Sequence, residues 1–149
     1  MGSGVSDLYD VGAAPLVEEE HLNEMEKKGV KFTSGDVVLT AKDQNGNLVW
    51  LEKGDNNKGL QHILYGTDGK SGHAKDFKKA FNVSQESIPV FLKKIITHGS
   101  IISDHRVKLP NGKTGIERVY SVDGKHYLLT GVGMNGFIVT SYPVEIKLR

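Results

Sequence analysis

Residues 101–142 read IISDHRVKLPNGKTGIERVYSVDGKHYLLTGVGMNGFIVTSY, and this stretch sets the architecture. It holds β-type runs at 101–109, 116–122, 127–132 and 137–142, rich in Ile, Val, Tyr and Thr. Between them stand Pro110-Asn-Gly-Lys113, Asp123-Gly-Lys125 and Met134-Asn-Gly136, each a turn signature. Short turns leave consecutive strands little choice but to pair antiparallel, so this half is expected to be a meander.

Upstream the hydrophobic period changes. Between Ser84 and Gly99, the residues Ile88, Phe91, Leu92, Ile95 and Ile96 recur at helical spacing. Ser84 is the expected N-cap, Glu86 falls in the first turn, and Pro89 sits early enough to be tolerated, because first-turn amides have no helical partner. Residues 74–81 (AKDFKKAF) predict a helix with Phe77 and Phe81 inward at i,i+4. Gly59 opens a shorter one carrying Leu60, Ile63 and Leu64, with His62 on a different side.

Asn45-Gly46 between the apolar runs 36–41 and 48–52 predicts a hairpin. Residues 16–28 predict a helix, with acids first, lysines last and Gly29 as the stop; His21, among its glutamates, reads as a solvated residue. Residues 1–15 read as a disordered lead and 16–149 as one domain. Helices followed by an antiparallel sheet make an α+β domain, with the 84–99 helix laying its stripe on one sheet face.

The composition narrows the chemistry. A chain of 149 residues, 38% hydrophobic and 25% charged, can bury one core, and no apolar run approaches bilayer length, so no membrane anchor is expected. The absence of cysteine excludes thiolate nucleophiles, disulfides and Cys-based metal sites. A net charge of +1 hides a gradient: acids outnumber bases up to Asp68, whereas bases dominate from Lys70 to Arg118. No H-E-x-x-H or similar grouping specifies a metal, so neither metal nor cofactor is expected.

The residues 59–81, GLQHILYGTDGKSGHAKDFKKAF, are where chemistry is expected. His62 and His73 flank the glycine-bearing loop 65–72, and Lys75, Lys78 and Lys79 follow. Imidazole titrates near neutrality, so two of them at one site supply a general base and a general acid, and neighbouring cations favour an anionic substrate such as phosphate. The loop reads equally as a cover for a ligand or an ordinary connection. Thr140, Ser141 and Tyr142, closing the last β-run, offer hydroxyls for a phosphate oxygen and a ring for stacking.

Four pieces, Leu48-Val-Trp-Leu-Glu-Lys-Gly54, Gly59-Leu-Gln-His-Ile-Leu64, His73-Ala-Lys-Asp-Phe77 and Asn135-Gly-Phe-Ile-Val-Thr-Ser-Tyr-Pro143, together resemble the C-terminal toxin domains of bacterial polymorphic toxins, including contact-dependent growth inhibition effectors. More specifically they resemble the Barnase/EndoU/colicin/RelE-like ribonuclease superfamily. The likeness spans about residues 36–144 and departs from the EndoU pattern at Ser71-Gly72-His73, where that family carries more glycine.

The resemblance implies a small metal-independent endoribonuclease, directed at tRNA, leaving a 2′,3′-cyclic phosphate. It implies delivery as part of a larger secreted or cell-surface effector, action in the cytoplasm of a neighbouring cell, and neutralisation by an acidic immunity protein, with a host factor open as a further partner. It maps the catalytic set onto His62, His73, one of Lys75 or Lys78, Thr140 or Ser141, and Tyr142. Ser141, Lys79 and Arg106 are expected to bind substrate. The rival from another class is a non-catalytic RNA- or protein-binding module of the same fold. A further rival is a hydrolase built on His105 or His126, both of which read as exposed strand positions.

Overall fold

The computed structural model describes residues 15–70 and 72–145, so the lead expected over 1–15 lies, apart from Pro15, outside the described residues. Helix α1 (Glu19–Lys27) leads through a 3₁₀ turn (Ser34–Asp36) to the hairpin β1 (Val37–Lys42) and β2 (Leu48–Glu52). Two short helices, α2 (Gly59–Tyr65) and α3 (Ala74–Phe81), a 3₁₀ turn (Gln85–Ser87) and α4 (Ile88–His98) come next. The chain then runs through β3 (Ile101–Lys108), β4 (Thr114–Ser121), β5 (Tyr127–Gly133) and β6 (Ile138–Val144). These last four strands form one antiparallel sheet in the order β3-β4-β5-β6, the meander the turns predict, and the molecule is α+β.

The hairpin forms a separate two-stranded sheet in which Trp50 N–H donates to Gly136 O at 3.0 Å, seating β2 against the start of β6. Helix α4 carries the stripe read from the sequence: Ile88, Phe91, Leu92, Ile95 and Ile96 are all buried. That stripe is shared between two sheets rather than laid on one. Its core cluster includes Leu39 and Ala41 of β1 together with Tyr120 of β4 and Leu128 of β5.

Two helix starts differ from expectation. α1 begins at Glu19 rather than Leu16, because Leu16 O accepts from Thr40 N (2.9 Å) and Glu18 N donates to Thr40 Oγ1 (3.0 Å), holding 16–18 against β1. The buried Lys93 reinforces this, since its Nζ donates to Leu16 O, Thr40 O and Glu18 Oε2 at 3.3, 2.6 and 2.6 Å. A buried ammonium requires such acceptors, and a helix through 16–18 would withdraw one of them. His21 is accordingly not a solvated residue: it is largely buried, with Nδ1 2.8 Å from Thr40 Oγ1. Burial pushes its pKa below the usual value, outweighing the pull of Glu18. At α4, Ser84 precedes the 3₁₀ turn instead of capping the α-helix; its Oγ donates to Ser87 Oγ, and Pro89 takes up the first helical turn.

A buried polar network ties the hairpin turn to the sheet. Asp43 Oδ2 accepts from Tyr120 OH (3.1 Å) and Asn47 Nδ2 (2.9 Å), and Arg118 Nη1 lies 3.6 Å away. Arg118 Nε donates to Asp104 Oδ2 on β3 at 2.9 Å. Among the described residues no helix is long and apolar enough to cross a membrane.

Candidate functional site

Strand alternation divides β6 between two environments. Ser141 pairs with Thr130, whereas Thr140 and Tyr142 pair with Gly131 and Leu129 and point to the other side of the sheet. Ser141 is fully buried; its Oγ donates to Leu129 O at 2.8 Å and lies 3.0 Å from Thr130 Oγ1. Those bonds place Ser141 on the side of the sheet opposite Thr140 and Tyr142. Thr140 is equally buried, at 3% exposure, yet among the described residues its Oγ1 has no hydrogen-bond partner. Beside it, a side chain on Gly131 would come within 2.9 Å of Thr140 Cγ2 and 3.0 Å of Leu109 Cδ2, so glycine is needed there for space. Val139 is an extra residue at this point, because Thr140 faces Gly131 and Ile138 faces Val132, and such bulges re-aim neighbouring side chains.

The helix that carries the buried His62 and the helix that follows His73 both pack against β6. His73 stands just before α3, where its ring stacks on Tyr142 with centroids 4.5 Å apart and planes 24° from parallel. Its backbone N–H donates to Ile63 O at 2.7 Å, pinning it to the residue next to His62 on α2. Asp76 Oδ2 accepts from His73 Nδ1 at 2.8 Å, and Asn56 O accepts from His62 Nδ1 at 2.8 Å. A carboxylate and a carbonyl can only accept, so each Nδ1 carries a proton and exchange with a ligand falls to Nε2. Tyr142 is held as a neutral phenol: burial raises its pKa, and the Glu117 carboxylate raises it further.

The basic residues separate into two groups. Lys75, Lys78 and Lys79 are exposed on α3, on turns that alternate with the inward Phe77, and Lys78 Nζ donates to Asn82 Oδ1 at 2.9 Å. Arg106 lies on β3, the opposite edge of the sheet from β6, in register with Ile116 and Val132 of the core side. Three strand spacings of ~4.8 Å put it far from Thr140 and facing the other way, so Arg106 does not join this site. His105 is exposed on β3, as expected. His126 is also exposed but lies in the turn before β5, where its Nδ1 sits 2.7 Å from Asp123 Oδ2 and its ring meets the edge of Phe81.

Two residues were missed by reading the sequence. Asp76 follows His73 by three positions, the spacing at which a first-turn acid reaches back to a helix's leading residue, and that signal was available. Glu117 shares one cross-strand row with His105, Gly131 and Thr140. Finding it requires the strand register, which becomes countable only once the bulge at Val139 is known. Compared with known protein families and with curated proteins, the chain matches no family model and no curated sequence.

Proposed function

We propose that this chain is an RNA endonuclease of the Barnase/EndoU/colicin/RelE-like kind that cleaves by transesterification. The observation carrying the proposal is the paired anchoring of His62 and His73 through Nδ1, with His73 stacked on Tyr142 at the sheet surface that bears the unpartnered Thr140 hydroxyl. One imidazole takes the proton of the ribose 2′-OH, the other protonates the departing 5′-oxygen, and Thr140 Oγ1 donates to the charge that builds on the phosphorus oxygens. Tyr142, kept protonated, positions His73 and can donate to a phosphate oxygen. Either Lys75 or Lys78 supplies the nearby positive charge from α3. With no cysteine in the chain, the substrate's own 2′-OH is the natural nucleophile.

The biological setting proposed with it is that of a tRNA-directed toxin of interbacterial competition, carried by a larger effector and masked by an acidic immunity protein over His62 and Lys75. A basic site is blocked fastest by a partner steered to it electrostatically. Incubating the protein with total RNA beside His73→Ala tests the activity: tRNA-sized products from the first and not the second are expected. Binding without cleavage by either protein favours the module that recognises RNA without cutting it.

A further inference from the structure

A separate cavity lies at the end of the same sheet, in the corner between the β3–β4 turn, the β5–β6 turn and the segment after α1. Its volume is about 660 Å³, ample for a nucleotide, and its walls carry Lys31, Lys58 and Lys113. Among the described residues none of these three ammonium groups is paired with a carboxylate. The single acid in the lining, Glu52, is already engaged, accepting from Trp50 Nε1 at 2.9 Å and Thr33 N at 3.1 Å. With three lysines against one carboxylate among the described lining residues, the cavity carries a net positive charge.

Its other walls are aromatic. Phe32 and Phe137 are partly exposed in the lining, and Lys58 Nζ stands 5.9 Å from the Phe137 ring centroid. Asn111 and Asn135 also line it, their Oδ1 atoms taken by the backbone N–H of Lys113 and Phe137, which leaves their amide N–H groups as donors. Free cations, flat apolar rings and amide donors in one concavity are the features that hold single-stranded nucleic acid, by phosphate attraction and base stacking together. The cavity also adjoins the candidate site. Val139 lines it and is followed in the chain by Thr140, while Leu109, another lining residue, packs over Gly131 beside Thr140.

We infer that this cavity is a subsite for a nucleotide flanking the one cleaved, with its phosphate held by Lys58 and Lys113 and its base against Phe137. The inference rests on the ribonuclease reading and adds a second point of grip, so that the strand runs along the sheet from Tyr142 past Thr140 to Phe137. Three residues from Phe137 to Thr140 at ~3.3 Å each span ~10 Å, within reach of adjoining nucleotides on an extended strand.

The test measures binding of a fluorescently labelled, mixed-sequence single-stranded RNA to the His73→Ala protein over a range of salt, so that cleavage does not intervene. Adding Lys58→Gln and Lys113→Gln should raise Kd by roughly tenfold and reduce the slope of log Kd against log salt by about 0.7, the contribution of the one phosphate that the two lysines share. Phe137→Leu should weaken binding about tenfold with the slope unchanged, since stacking releases no counterions. Because both lysines are exposed, their replacement leaves the fold intact and the result interpretable. Unaltered Kd and slope in the lysine variants, from a protein that does cleave RNA, would overturn the subsite and spare the ribonuclease reading. If the wild-type protein neither binds nor cleaves RNA, both fall. Lysine-dependent binding of polyglutamate in place of RNA would overturn the subsite in favour of an acidic protein partner.

Discussion

Thr140 and Ser141 are chain neighbours with the same kind of hydroxyl, both buried, and they stand on opposite sides of one sheet. Ser141 commits its bonding capacity to Leu129 O and Thr130, whereas Thr140 Oγ1 has no partner among the described residues. The core side of the sheet extends this pattern through Asp43, Asn47, Tyr120, Arg118 and Asp104, linked across three elements, although Arg118 Nη1, 3.6 Å from Asp43 Oδ2, has no hydrogen-bond partner among the described residues. The other side leaves Thr140 unpaired beside His73 and Tyr142. A buried donor without an acceptor destabilises the fold by about 1–3 kcal/mol, so a ligand oxygen that paired with Thr140 Oγ1 would recover that cost.

The strongest way to break this contrast is at the network. Asp43→Ala removes the acceptor of the buried Tyr120 hydroxyl and of Asn47 Nδ2, leaves Arg118 paired with Asp104 alone, and should lower stability by about 3 kcal/mol in urea unfolding. A loss under about 1 kcal/mol would show that the core side is not held by its polar groups. On the other side, His62→Ala and His73→Ala should each slow RNA cleavage by roughly 10²-fold or more, while His73→Ala, being partly exposed, should leave the unfolding midpoint nearly unchanged.

The two hydroxyls themselves sharpen the comparison. Thr140→Val should reduce the cleavage rate by about 10- to 10²-fold with stability equal or higher, because it removes an unpaired polar atom at constant shape. Ser141→Ala should do the reverse, lowering stability by about 1 kcal/mol and leaving the rate of the folded fraction unchanged. The smallest effect concerns pH. His21 has a folded pKa below its unfolded value of 6.5, so the unfolded chain binds the extra proton and stability present above that value is lost as pH falls through the folded pKa. Glu24 and Asp123, held at about 2, act in the same direction at lower pH. Thermal unfolding of His21→Gln should accordingly show a flatter dependence than wild type just below pH 6.5.

Much of the fold was legible because it rests on local signals. The turns at Asn111-Gly112, Asp123-Gly124 and Asn135-Gly136 set the meander, and the stripe from Ile88 to Ile96 named the buried side of α4 before its partner surfaces were known. The errors came from long-range polar pairing. Leu16 reads as part of the helix and His21 as a solvated residue on it because nothing nearby announces that Lys93 and Thr40, far along the chain, take up their bonding groups. The site was legible in part for the same reason. His62 and His73 are a short interval apart and His73 meets Tyr142, while Ser141 and Arg106 fall on the opposite side of the sheet, a placement that depends on register and that one bulge at Val139 shifts.

The central claim is that this surface cuts RNA through its histidine pair, using the ribose 2′-OH. Mapping the chemical ends of the products, from one RNA and from the same RNA with 2′-deoxyribose at the cut position, tests it most directly. A 2′,3′-cyclic phosphate on the upstream fragment, and resistance of the deoxy-substituted strand, are the predicted results; a free 3′-hydroxyl, or equal cleavage of both strands, would contradict the account.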